Sequence, residues 1–160
     1  MCSRDHTRLP VDICIRPADL DREGDALLAL QRAGYAAEAR LVGVDALPPQ
    51  YETIDDLRGE TLWVADDRGV VAGLLGLQDG PELVIARLVV APECMRRGIG
   101  RALARHALAL AGDRAVRVGT AAANGPALEL YASLGFRQVA ERTVGDGLAY
   151  VQLRRPARVA

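Results

Sequence analysis

The apolar run Leu83–Val90 is followed closely by Arg96-Arg97-Gly98-Ile99-Gly100-Arg101, which opens the helical pattern Ile99–Ala111. Strand, turn and glycine-opened helix in that order restrict both the fold and its ligand. A helix N-terminus carries unpaired N–H groups and a partial positive charge. Glycines there let a phosphate approach the backbone. The segment therefore points to a phosphorylated ligand. Two common phosphate loops are excluded. A dinucleotide fingerprint needs a third glycine where Leu103 stands, and a P-loop needs Gly-Lys-Ser/Thr, which the sequence lacks. On these residues alone, a purely structural glycine turn stays open.

The rest of the pattern places this segment within one architecture. Asp12–Arg16 alternates as a strand does, and Pro17 ends it. Asp19 can cap a helix running to about Arg40, with Leu27, Leu30 and Leu41 among its apolar positions. Gly34 predicts a break in it. Leu47-Pro48-Pro49-Gln50 reads as a loop, and Thr53 as the cap of a short helix over Ile54–Leu57. The runs Thr61–Ala65, Val70–Leu77 and Leu83–Val90 are separated by turn residues and predict an antiparallel meander. Ala115–Gly119 reads as a strand, and Pro126 opens a helix that Gly135 closes. Phe136–Arg142 and Leu148–Leu153 form a last strand pair around Gly145-Asp146-Gly147. The expected class is α/β (α+β): a mixed, mostly antiparallel central sheet flanked by helices. Residues 1–10 read as a leader, 11–156 as one domain and 157–160 as a tail.

Charge narrows the partners. Twenty basic residues against 21 acidic ones argue against broad nucleic-acid binding, which needs a basic surplus. No signal-peptide pattern and no apolar run of membrane-spanning length is present. Cys2, Cys14 and Cys94 fit neither a zinc site nor a redox pair, so free thiols in a cytoplasmic protein are the expectation.

Two motifs carry a resemblance. Val90-Ala91-Pro92-Glu93-Cys94-Met95-Arg96-Arg97-Gly98-Ile99-Gly100-Arg101-Ala102-Leu103 resembles the acyl-CoA-binding motif of the GNAT superfamily of N-acyltransferases. In that motif a strand ending in Val-x-Pro leads into Gln/Arg-x-x-Gly-x-Gly/Ala; Met95 departs from it at the first position. Asn124-Gly125-Pro126-Ala127-Leu128-Glu129-Leu130-Tyr131-Ala132-Ser133-Leu134-Gly135-Phe136 resembles the family's Asn-x-x-Ala-x-x-x-Tyr-x-x-x-Gly-Phe segment. The resemblance implies a GNAT-like acyltransferase fold and acetyl-CoA, or a close relative, as acyl donor, with no metal. It implies that backbone groups of Leu88, Val89 and Val90 pair with the pantetheine arm. The loop of Arg96, Arg97, Gly98, Ile99, Gly100 and Arg101 would hold the pyrophosphate, and Asn124 would contact CoA. Tyr131 would be the general acid that protonates the departing thiolate.

The acceptor side is less legible. Family members often carry a basic glutamate on the strand before the glycine loop, but here Glu82 at the strand's entry is the only acid. Tyr35, Glu38 and Glu52 fall where the family's acceptor pocket lies, and each reads as a surface or packing residue. His106 shares a helical face with Ile99, Leu103 and Leu110 and reads as a core histidine; His6 lies in the leader. The expected reaction is direct attack of a primary amine, of a small molecule or a peptide, on the thioester. Rival readings are a catalytically inactive CoA-binding sensor and a protein N-terminal acetyltransferase. A homodimer follows only from family habit.

Overall fold

The computed structural model describes residues 13–145 and 147–159. Seven strands form one sheet: β1 (Ile13–Pro17), β2 (Thr61–Asp67), β3 (Val70–Gln78), β4 (Leu83–Val90), β5 (Val116–Ala121), β6 (Arg137–Val144) and β7 (Leu148–Arg155). Their order is β1-β2-β3-β4-β5-β7-β6. Every neighbouring pair is antiparallel except β4 and β5, which are parallel. The expected meander is thus β2-β3-β4. Its first turn uses Arg68 and Gly69, both with positive φ, as a two-residue hairpin requires. The leader and His6 lie outside the described residues, and 157–159 carry no helix or strand.

The helices are α1 (Leu20–Val42), α2 (Ile54–Arg58), α3 (Ile99–Ala111) and α4 (Gly125–Ser133). Asp19 caps α1, its Oδ1 accepting from the Arg22 N–H at 3.2 Å. Thr53 heads α2 through its own N–H, which donates to Asp56 Oδ2 at 2.7 Å. Leu47–Gln50 is partly ordered as a 3₁₀ turn over Pro48–Tyr51.

Three expectations are corrected. First, α1 runs unbroken through Gly34. Here the glycine serves packing: a Cβ would overlap Val89 Cγ1 and lie 3.3 Å from the Val90 carbonyl oxygen. Second, Leu27 and Leu30 are buried but Leu41 is exposed, while Ala39 in the same last turn is buried. Third, Cys14 is disulfide-bonded, while Cys94 is a free buried thiol. The argument for a reducing compartment loses its footing at Cys14.

The core lies on both faces of the central strands. Along β4, Leu83, Ile85, Arg87 and Val89 are buried, and Val89 meets α1 at Gly34. The alternate residues Leu88 and Val90 face the first turn of α3. β3 is buried from Ala72 to Leu77, as a strand covered on both faces should be. His106 stacks edge-on against Trp63, with ring centroids 4.3 Å apart, consistent with a packing histidine. No helix among the described residues is long and apolar enough to cross a membrane.

Candidate active site

The site begins where the parallel ladder stops. β4 and β5 pair only at Leu83–Val116, Val84–Arg117 and Ile85–Val118. β4 then continues to Val90 on β3 alone, and β5 to Ala121 on β7 alone. A bulge marks the parting: Ile85 pairs Leu77 and Arg87 pairs Gly76, so Ala86 is the extra residue. Such bulges bend a strand and re-aim its side chains. Beyond it, one backbone edge of β4 faces an opening instead of a neighbouring strand.

The shut end of this wedge is fastened by charge. Glu82 Oε1 accepts from Arg154 Nε at 3.0 Å and Nη2 at 2.7 Å, and its Oε2 pairs with Arg117. These bonds, the one from Arg154 foremost, hold the Glu82 carboxyl below its ordinary range. Glu82 therefore ties β4 to β5 and β7 and does not line the cleft.

The open end is a cleft of about 100 Å³. Tyr35 and Glu38 enter it from α1, and Ala86, Arg87 and Leu88 from β4. Gly119 and Thr120 of β5, Asn124, Tyr131 of α4 and Tyr150 of β7 also line it. Tyr131 is buried, its ring edge-on to Phe136 at 5.2 Å. Burial, with Glu38 and Tyr150 nearby, pushes its hydroxyl pKa well above the ordinary tyrosine value. Its proton is therefore held at neutral pH. Burial likewise raises the Glu38 carboxyl; the bond from Asn124 opposes the rise without cancelling it. Tyr35 and Tyr150 are also raised by burial.

Asn124 has a partner at each end of its amide. Oδ1 caps α4 by accepting from the Ala127 N–H at 3.2 Å, and Nδ2 donates to Glu38 Oε1 at 3.0 Å. The resemblance implied a coenzyme contact for Asn124, and neither the cap nor the bond to α1 was part of it.

Deeper in the wall, Arg87 is buried within a polar cluster. Its Nε donates to Glu60 Oε1 at 2.8 Å and Nη1 to Gln31 Oε1 at 2.6 Å, with further bonds to Glu52 and Glu60. Burial acts against this charge, but the two carboxylates outweigh it and keep the guanidinium protonated. Gly76 leaves the space: a Cβ there would sit 2.7 Å from Arg87 Cγ.

The glycine loop adjoins two residues of the cleft lining, Leu88 and Leu130. Arg96 and Gly98 both take left-handed backbone, with φ +63° and +80°, and α3 starts directly after them. A Cβ on Gly100 would stand 3.6 Å from Val90 Cγ2, 3.7 Å from Leu88 Cδ2 and 3.8 Å from Leu130 Cδ2. The start of α3 therefore meets β4 and α4 at one point. Arg97 donates to Asp67 Oδ2 at 3.1 Å and Arg101 to Ser133 Oγ at 2.9 Å. Arg96 and Met95 are exposed. Leu88, Asn124 and Tyr131 thus line the cleft, Gly100 packs near Leu88 and Val90, and the Val89 side chain points to α1.

Three features of the site were undervalued in sequence: Glu38, Tyr150 and the Arg87 cluster. A signal existed for the first. Gln31, Tyr35 and Glu38 stand at i, i+4 and i+7 on the face of α1 that also carries Leu27 and Gly34. Polar residues on a helix face turned toward the sheet mark either a satisfied core network or a site, and here they mark one of each.

Comparison with known proteins agrees with this geometry. Residues 35–155 match the family described as acetyltransferase (GNAT) domain. The UPF0157 protein YqkA of Bacillus subtilis (strain 168) is 32% identical over 126 residues, which are 76% of this chain and 37% of that protein. The chain thus spans little more than a third of that relative's length. Among solved structures, the ribosomal-protein-S18-alanine N-acetyltransferase of Escherichia coli superposes with TM-score 0.74 at 19% identity, over 92% of this chain and 96% of that one. YncA of Salmonella typhimurium, a putative acetyltransferase with its cofactor acetyl-CoA, gives TM-score 0.70 at 19% identity over the same shares. With the family match covering most of the chain and the sheet opening as described, the chain belongs to the GNAT acetyltransferase domain family.

Proposed function

We propose that this chain moves an acetyl group from acetyl-CoA to a primary amine of a small molecule or peptide, by direct attack on the thioester. The observation that carries the reading is the parting of β4 from β5 beside the buried Tyr131. An open strand edge offers N–H and C=O groups to an extended amide-bearing chain, as a pantetheine arm is. In this reading the backbone of Leu88, Val89 and Val90 takes that arm. The first-turn N–H groups of Gly98, Ile99, Gly100 and Arg101 take the pyrophosphate, because they have no intrahelical acceptors. Arg96 is exposed and adds a charge-assisted contact. Arg97 and Arg101 do so by exchanging their present bonds to Asp67 and Ser133. Asn124 holds the start of α4 at the coenzyme's inner end.

Catalysis then needs a placed carbonyl, a neutral amine and a proton for the leaving sulfur. Tyr131 supplies that proton: its hydroxyl stays protonated at neutral pH, and the cleft it lines is where the sulfur would be released.

An acceptor screen with acetyl-CoA, read as free-thiol release, tests the reading. Polyamines, amino acids, aminoglycosides and peptides with free α-amines form the panel. With the best acceptor, Tyr131→Phe should lower kcat by about 10²-fold, the scale of one general acid, and leave CoA affinity intact. Unchanged turnover would remove Tyr131 from the acid role, and an absence of CoA binding would remove the reading itself.

A further inference from the structure

We infer that Glu38 is the general base of this transfer: its carboxylate, set in the cleft between α1 and α4, takes the proton that an acceptor ammonium must lose. The inference rests on the acyl-transfer reading above and goes beyond it by naming the group that makes the amine nucleophilic.

Elimination among carboxylates comes first. Glu52 and Glu60 are bound to the Arg87 guanidinium, and Glu82 is bound by Arg117 and Arg154 at the shut end of the wedge. None of these three lines the cleft. Glu38 lines the cleft and, among the described residues, has no ion-pair partner.

The surroundings point the same way. Tyr35 on its own helix, Tyr131 on α4, Tyr150 on β7 and Arg87 on β4 are the titratable groups sharing the cleft with Glu38. The three hydroxyls are neutral at neutral pH, and the Arg87 charge is taken up by Glu52 and Glu60. Burial is therefore the larger influence on the Glu38 carboxyl and raises its proton affinity, against the bond from Asn124.

Position is the third argument. Asn124 holds Glu38 with Nδ2 while its Oδ1 caps the helix that carries Tyr131. One side chain thus ties the mount of the base to that of the acid.

The proton count closes. The ammonium gives one proton to Glu38, and the neutral amine forms the C–N bond at the thioester carbonyl. The C–S bond then breaks, the sulfur takes the Tyr131 hydroxyl proton, and the second proton shed by nitrogen restores that hydroxyl. Glu38 returns its proton to solvent, so amide, thiol and one proton leave the enzyme.

Glu38→Gln tests this, because the amide oxygen can still accept from Asn124 but cannot take a proton. With acetyl-CoA and the best amine from the screen, kcat at neutral pH should fall about 10²-fold. KM for acetyl-CoA and the thermal midpoint should hold. In the unmodified protein, kcat/KM should fall with acid along a limb lying above the ordinary carboxylate range. Glu38→Gln should lack that limb and gain rate as pH rises and solvent deprotonates the amine; Glu38→Asp should recover part of kcat. Wild-type kcat with the limb intact would overturn the assignment. So would a fall in kcat that tracks a lowered thermal midpoint and is not rescued by Asp. In both cases transfer by the unmodified protein would still stand. No thiol release by that protein with any amine would overturn the transfer reading and Glu38 with it.

Discussion

Arg96 holds left-handed backbone with a side chain that gains little from it, which costs about 1–2 kcal/mol for a residue with a Cβ. Gly98 takes a similar φ two residues later without that cost. If the Arg96 guanidinium touches the donor's phosphates, the strain is retained for binding. Arg96→Gly separates the two effects. Unfolding stability should rise by about 1 kcal/mol in urea titrations, while KM for acetyl-CoA rises severalfold. A KM that does not move would make Arg96 an ordinary solvated charge. Gly98→Ala should do the reverse to stability: nothing lies within 4 Å of its built Cβ, so only the backbone term acts. The turn's glycines were visible in the sequence, but the left-handed arginine was not, because no side-chain preference announces it.

Gly34 sets two element-scale forces against each other. In an isolated helix, Gly→Ala gains about 1 kcal/mol, and that propensity is why a break was expected. In the fold, α1 lies on β4 so closely that a Cβ overlaps Val89. Overpacking typically costs about 1–3 kcal/mol, so Gly34→Ala should lower the thermal midpoint despite better helix propensity. It should also lower kcat, because α1 carries Tyr35 and Glu38 into the cleft; a raised midpoint would show that α1 can slide. Other element features were legible: the Asp19 cap, the span of α3 and the meander follow from local residues. The parting of β4 from β5 does not. An apolar run says that a strand is buried, not which of its edges is paired, and the parallel pairs join Leu83–Ile85 to residues more than thirty positions later.

At the scale of the molecule, the sequence offered a motif for the proposed coenzyme side and none for the proposed acceptor side, for one physical reason. The glycine loop and the Asn124–Phe136 segment are each continuous, so their chemistry has a spacing. The cleft wall made by α1, β4 and β7, with the Gln31–Glu52–Glu60–Arg87 cluster behind it, joins distant segments, and no spacing records it. Such a wedge is stabilised by whatever fills it. The shut end is held by Glu82, Arg117 and Arg154, whereas among the described residues the open edge of β4 has no strand partner beyond Ile85. A ligand that binds only the folded state adds RT ln(1 + [L]/Kd), about 2.7 kcal/mol at a hundredfold excess over Kd. At about 2–4 °C per kcal/mol for a chain of this size, CoA should raise the thermal midpoint by roughly 5–10 °C. Tyr131→Phe and Glu38→Gln should keep that shift, since both act on the proton and not on the phosphates. Gly98→Ala should lose part of it, since its turn presents the N–H groups. A shift of equal size in all of these variants would move the coenzyme away from the loop, and none in the unmodified protein would leave the open edge of β4 without its partner.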